Sequence, residues 1–385
     1  MSQTIIADYN GQQLRIKLNA QVSISKILPP VSSEWGQLHG VNWKSSVLSR
    51  KENSPNPPEN GIESNEINKF MDICANANWN LIRLVVYQET YKGHRAAFFT
   101  EMKAIIEAAD QRGIAVIIDN HQWKMGGGEY NDSLGFPKAY FAGYNISPAI
   151  PYEPNGQPEI IEWWRDLYSD NLRQFPNAHQ DMANYFDDMI DQVDGYENLL
   201  GYEILNEPQT TRPEDYTNMG NMNTFIAQRI RARSNKRILY CRDNTLAYGG
   251  SQTLKPELIP NIASGIVYDN HSYSLRRMKS TYQPQTLVNI DNRTDIEVLV
   301  GEWAAQIQFD KPDDPPGNPG NILTLDNTKW ILNFCKDNNY AICWWALGQF
   351  ALSDSARQWK CLTRADGTLR AEGLIYKQAI SEVYA

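Results

Sequence analysis

Eight short apolar runs, most followed by helix-patterned sequence, limit the fold of this chain more than any other feature. They are LHGVNW (38–43), LIRLVV (81–86), AVIIDNHQW (115–123), LLGYEILNE (199–207), ILYCRD (238–243), IVYDNHSYS (266–274), EVLVGEW (297–303) and AICWWALGQF (341–350). Each is rich in aliphatic and aromatic residues and short enough to read as a buried strand. The intervening helices are legible. Behind Ser64, a capping residue type, Ile67, Phe70, Met71 and Cys74 recur at i, i+3, i+4, i+7 over 64–77. Met102, Ile105, Ile106 and Ala109 form a second stripe over 98–112, stopped by Gly113. Met219, Met222, Phe225, Ile226 and Ile230 form a third; Trp330, Ile331 and Phe334 precede the eighth run, and Leu374, Ile375, Ile380 and Val383 close the chain.

Strands alternating with helices imply a parallel sheet, and eight such units can close into a (β/α)8 TIM barrel, an α/β fold. A doubly wound open sheet is the alternative, but no glycine-rich phosphate loop follows any run. The 385 residues suit one barrel domain starting near residue 38, and no linker divides the chain. Ahead of the barrel, residues 4–17 show two β-prone arms around Asn10-Gly11, a pair suited to a tight hairpin turn.

Strand spacing shows where the chain invests. The third and fourth runs start 84 residues apart, whereas the other steps run from 28 to 44. The excess over residues 124–157 is glycine-rich and carries Tyr130, Phe136, Tyr140, Phe141 and Tyr144. Loops at 53–61 and 311–321 are rich in proline and asparagine. All three leave the C-terminal ends of strands, the face on which barrels of this kind keep their sites.

Composition narrows the chemistry. The net charge is −9 with no run of five Lys/Arg, which argues against nucleic acid and membrane partners. Five scattered cysteines show no CxxC and read as buried free thiols. Five histidines form neither HxH nor HExxH, so no metal or other cofactor is expected. Eleven Trp and twenty Tyr suit a sugar-stacking surface, although packing explains them almost as well. The start, MSQTIIADYN, has neither a basic n-region nor an apolar h-region, so a soluble chain is expected, cytoplasmic or exported with its signal removed.

Several runs end in polar side chains that need partners: Arg83 in the second, Asp119-Asn120-His121 in the third, Asn206-Glu207 in the fourth, His271 and Tyr273 in the sixth, Glu302 in the seventh. Pro208 ends the fourth strand, leaving Asn206 either as a helix cap or at a reaction centre. Glutamates on the fourth and seventh strands can face each other across the barrel mouth. Glycosidic cleavage uses such a pair, one as proton donor and the other as nucleophile or water activator. For either glutamate alone a salt bridge to Arg83 is the plainer reading; for the pair, catalysis is favoured.

The ordered set LIRL, VIIDNHQW, EILNEP, NHSY, VGEW and CWWALG resembles glycoside hydrolase family 5, the cellulase and mannanase family, from about residue 38 to the C-terminus. The resemblance implies a retaining mechanism with Glu207 as acid/base and Glu302 as nucleophile. It implies that Asn206 holds the sugar 2-hydroxyl, that Arg83 and Tyr273 position and ionise the nucleophile, and that His121 and His271 line the subsite of cleavage. A strand-eight tryptophan would floor that subsite; Trp344 and Trp345 are adjacent, so alternation allows only one to face the axis unless a bulge intervenes. Trp43, Trp123 and Trp303 are expected mainly to pack, and residues 124–157 to wall the cleft. The expected substrate is a β-1,4-linked polysaccharide or oligosaccharide, glucan before mannan, cut internally rather than from an end by a monomeric enzyme. A barrel that binds carbohydrate without cutting it is the alternative from another class; it usually lacks one carboxylate, and both are present here.

Overall fold

The computed structural model describes residues 13–18, 22–27, 34–49, 64–122, 135–146, 158–209, 213–241, 256–272, 296–304, 323–347, 361–364 and 366–385. Eight parallel strands close a barrel: β3 (His39–Lys44), β4 (Leu81–Val86), β5 (Ala115–Asn120), β8 (Leu199–Glu203), β9 (Arg237–Cys241), β10 (Ile266–Ser272), β11 (Ile296–Trp303) and β12 (Tyr340–Trp344). These are the eight runs of the sequence, in order, with β12 pairing back onto β3. Two small antiparallel pairs lie outside the barrel, β1 (Gln13–Leu18) with β2 (Val22–Ile27) and β6 (Asn171–Leu172) with β7 (Phe175–Pro176). The second arm of the expected hairpin is thus a strand, but its partner lies downstream at 22–27. The first arm and Asn10-Gly11 fall outside the described residues.

The helices are α1 (Ser64–Asn76), α2 (Gln88–Asp110), α3 (Pro158–Tyr168), α4 (Ala178–Val193), α5 (Pro213–Arg231), α6 (Leu325–Asp337) and α7 (Ala371–Val383). Their apolar stripes bury against the outer face of the strands in one large core. Two stripe residues differ from the periodicity: Phe225 and Leu374 are exposed, Phe225 alongside exposed Asn218 and Asn221 and Leu374 alongside exposed Gln378 and Ser381 on the solvent side of their helices. Among the described residues no helix is long and apolar enough to cross a membrane. Cys74, Cys241, Cys335 and Cys343 are buried free thiols and Cys361 is half-buried.

Inside the barrel, Leu81, Ile117, Leu239, Val267, Leu299 and Ala341 fill a lower apolar layer above Trp35 and Leu38. Trp35 closes the N-terminal end. Its Nε1 donates to the Val298 carbonyl, and the Arg237 guanidinium, itself paired with buried Glu297, lies over its ring. Two residues further along the strands, the inward positions turn polar: Asn42, Arg83, Asp119, Glu203 and Asp269. The apolar plug therefore supports a charged layer just beneath the C-terminal rim.

Candidate active site

Arg83 organises that layer. Its side chain is fully buried on β4. Nη1 donates to Asn42 Oδ1 at 2.8 Å and Nη2 to Asn206 Oδ1 at 2.6 Å. Its carboxylate contacts are Asp119 at 2.8 Å, Glu203 at 2.8 Å, Asp269 at 3.2 Å and Glu302 at 3.2 Å. Burial alone would lower the pKa of the guanidinium, but the carboxylates around it, Asp119 foremost, outweigh burial and hold the pKa well above its ordinary value. Arg83 is therefore both a strut between strands and a fixed positive charge beside Glu302.

The fourth run does not remain a strand to its end. β8 stops at Glu203, and the Asn206 N–H turns to the Asn120 carbonyl at 3.2 Å and Gln122 Oε1 at 3.1 Å. The chain thus bends over the end of β5 and brings Glu207 above the barrel. Asn206 does not cap the next helix, which starts at Pro213. Its amide is locked instead, with Oδ1 accepting from Arg83 and Nδ2 donating to the Gln122 carbonyl at 3.0 Å.

Glu302 reaches the same space through a β-bulge. β11 fits one extra residue against both neighbours, between Leu299 and Glu302 on the β10 side and between Val300 and Trp303 on the β12 side. Gly301 faces inward, its N–H donating to Asp269 Oδ1 at 2.7 Å, and Glu302 follows it into the interior rather than alternating outward. Only glycine fits at 301, since a Cβ there would come within 2.1 Å of Asp269.

His271 bridges the two glutamates. Its Nδ1 lies 2.8 Å from Glu207 Oε1 and 3.7 Å from Glu302 Oε2. Burial opposes its charged form, but Glu302, Asp269 and Glu207 hold its pKa well above 6.5. Single donor atoms of Glu207, His271 and Glu302 all lie within 4.8 Å of one another, as do those of Glu203, Cys241 and His271. Both groups are compact enough to surround a cation. The first also places a carboxylate oxygen of each glutamate within 4.8 Å of the other.

His121 sits at the end of β5 with Nδ1 2.8 Å from Asp119 Oδ2 and its ring stacked on Trp345, centroids 5.1 Å apart and planes 9° from parallel. Strand alternation separates the adjacent tryptophans. Trp344 is fully buried on the outer side, against Trp303 and Tyr376, whereas half-buried Trp345 joins the site. Trp43 packs on Phe70, so it and Trp303 are core residues. Tyr273, Trp123 and the loops at 53–61 and 311–321 lie outside the described residues. Of residues 124–157 the described part is 135–146, where Phe136 and Tyr140 are buried against α3 instead of facing an open cleft.

Two residues were not legible as parts of the site. Glu203 and Asp269 read as ordinary members of apolar runs, yet both touch Arg83; their inward parity with Arg83 was the available signal. The cavity around His39, Trp79, Arg112 and Tyr384 is on the opposite face of the barrel, where burial holds the His39 pKa down to about 4.

The sequence model of the cellulase family, glycosyl hydrolase family 5, matches residues 39–351. No match is found among curated proteins. Among solved structures, endo-glycoceramidase II from Rhodococcus sp., as its lactosyl-enzyme intermediate, superposes with a TM-score of 0.67 at 15% identity, covering 97% of this chain and 80% of that one. The β-glucanase SdGluc5_26A from Saccharophagus degradans, in complex with cellotetraose, gives 0.58 at 14% identity, covering 100% and 95%. An endogalactoceramidase gives 0.63 at 13% identity, covering 99% and 84%. At such identities these likenesses establish a shared barrel fold.

Proposed function

The chain belongs to glycosyl hydrolase family 5, and on that premise we propose that it hydrolyses β-glucosidic bonds with retention of configuration. Glu302 attacks the anomeric carbon while Glu207 protonates the leaving oxygen. Glu207 then removes a proton from the water that releases the glycosyl-enzyme. The observation that carries this reading is the closeness of the two carboxylates, with oxygens within 4.8 Å. Retaining pairs sit ~5–5.5 Å apart, whereas inverting pairs need ~6.5–9.5 Å to admit a water.

The surrounding residues fit these roles. Arg83 gives the attacking carboxylate a fixed positive partner at 3.2 Å. Asn206 keeps a second Nδ2 hydrogen for a sugar 2-hydroxyl after donating to Gln122. His271 holds Glu207 by one edge, and His121 with Trp345 offers an aromatic surface to a sugar face. The sequence-based expectation for Tyr273 stands as part of the proposal.

For substrate we favour internal β-1,4 linkages of a glucan, with mannan as the nearest alternative. The fold shared with a cellotetraose-bound β-glucanase supports this choice. A second reading, the β-glycosidic headgroup of a glycolipid, is favoured by the higher TM-score with endo-glycoceramidase II. Activity on cellulose, mixed β-glucan, mannan, glycosphingolipid micelles and aryl β-glycosides decides between them. The anomer first formed is read by NMR: β product supports double displacement, and α product removes it.

A further inference from the structure

The charged layer holds more carboxylates than its cations balance: Asp119, Glu203, Asp269 and Glu302 all contact the single guanidinium of Arg83. Glu203, fully buried on β8, receives both Arg83 Nε, at 2.9 Å, and Nη2, at 2.8 Å, on the single oxygen Oε2. Its Oε1 is buried and finds no N–H or hydroxyl donor. An ionised carboxylate with a buried oxygen that meets no protein donor is costly, because both oxygens of the anion need donors. Asp269 meets Glu203 on one donor: Arg83 Nε lies 2.9 Å from Glu203 Oε2 and 3.2 Å from Asp269 Oδ2, and Asp269 Oδ2, like Glu203 Oε1, has no hydrogen-bond donor of its own. Two buried carboxylates crowded on one donor repel as anions, and the crowding is relieved if one carries a proton that it can give to the other. Asp269 is the better anion: it also accepts from the Gly301 N–H at 2.7 Å and lies 3.2 Å from Arg83 and 3.5 Å from His271.

We propose that Glu203 is kept as the neutral carboxylic acid, donating its proton to Asp269, and is a positioning residue that takes one competing anion away from Arg83 beside Glu302. It deepens the retaining mechanism above and rests on Glu302 being the attacking group. The charged and titratable groups around Glu203 are Arg83 from β4, Asp119 from β5, Cys241 from β9, Asp269 and His271 from β10 and Cys343 from β12. Burial, with Asp269 and Asp119 nearby, pushes Glu203 well above the usual carboxylate range despite Arg83. Against the same burial, Arg83 and His271 hold Asp269 below its ordinary value. The two shifts agree with a proton that resides on Glu203. As an acid, Glu203 turns one acceptor oxygen to Arg83 without competing as an anion for its charge. Asp269, ionised, pins the Gly301 bulge that carries Glu302.

The test uses the whole enzyme without substrate, so that its result does not depend on the reaction assigned above. Infrared difference spectra at neutral pH between the parent and Glu203→Gln are expected to show loss of a carboxylic-acid carbonyl band that shifts in D2O. Loss of ionised-carboxylate bands instead overturns the proposal. If Glu203→Gln does not fold, the same band is sought in Glu207→Gln protein labelled with 13C at the glutamate δ-carbon; no protonated glutamate there overturns it equally. In kinetics, an amide reproduces a neutral acid that donates to Asp269 and accepts from Arg83. Glu203→Gln should therefore keep the acid limb of the kcat/KM profile in place, while Glu203→Ala loses about a hundredfold in kcat/KM. Had Glu203 been an anion, the amide would free Arg83 from a competing charge and move that limb to lower pH.

Discussion

Nδ1 of His271 lies 2.8 Å from Oε1 of Glu207, and that one contact ties the end of β10 to the bend that follows β8. The ring is also paired with Glu302 and Asp269, which hold its pKa well above 6.5 although burial pulls the other way. A group whose folded-state pKa is raised adds stability that is fully present below its unfolded value. The parent's advantage over His271→Asn in thermal unfolding should therefore be greatest below about pH 6.5. It should shrink as the pH rises above that value and vanish once the pH passes the folded-state value. Melting curves across that range check the sign; an advantage that grows with pH would mean the ring is neutral in the folded enzyme.

Gly301→Ala tests the bulge. The added Cβ would lie within 2.1 Å of the Asp269 carboxylate, which is anchored by the Gly301 N–H and by Arg83. Relief requires moving either Asp269 or the backbone that carries Glu302. We expect a loss of about 1–3 kcal/mol in denaturant unfolding, typical of overpacking, together with a fall in kcat of at least about a hundredfold. Full activity in a destabilised protein would show that Glu302 is not aimed by the bulge.

The two ends of the barrel should separate stability from chemistry. Glu297→Ala leaves Arg237 buried without its partner below the apolar plug. Breaking such a pair costs about 3–5 kcal/mol. Because the pair is remote from the rim, the pH dependence of kcat/KM should keep its shape at temperatures where the variant is folded. A shifted profile would join the N-terminal face to the reaction.

The adjacent tryptophans should part in the same way. Trp345→Ala removes the ring stacked on His121 and should lower kcat/KM on oligosaccharides by about tenfold or more, from loss of an aromatic contact worth ~0.5–1.5 kcal/mol plus its buried area. Trp344→Ala empties a fully buried position and should cost about 3–5 kcal/mol of stability. Kinetics and unfolding measured on both variants check the division, and an exchange of the two effects would contradict it.

The barrel was readable because each strand is a contiguous apolar run, and its inward parity is carried by the residues themselves: Leu81 and Arg83, Ile117 and Asp119, Val267 and Asp269. The candidate site was readable where polar residues end those runs: the structure gathers Glu207 and Glu302 around His271 and sets His121 on Asp119 at the same rim. Two things were not. Period-two alternation points Glu302 away from the axis once Leu299 is placed inward, and only the bulge at Gly301, a tertiary accommodation to the Asp269 carboxylate, turns it back. Glu203 looked like one more strand residue because its importance depends on Asp269, 66 positions later in the chain. The aromatics at 136 and 140 suggested a sugar surface; their contacts with α3 show that packing claimed them.

The most direct test of the central claim is the product that azide forms with the two glutamate variants, using a dinitrophenyl β-glycoside. This leaving group needs little protonation, so Glu207→Ala should still form the glycosyl-enzyme, accumulate it, and release it to azide as the β-glycosyl azide. Glu302→Ala cannot form that intermediate, so azide can only attack directly and give the α-glycosyl azide. Both variants should lose several orders of magnitude in kcat/KM on the natural substrate, since each removes a group that acts in the transition state. The α-azide from Glu207→Ala with the β-azide from Glu302→Ala would reverse the two roles, and undiminished hydrolysis by either variant would contradict the mechanism.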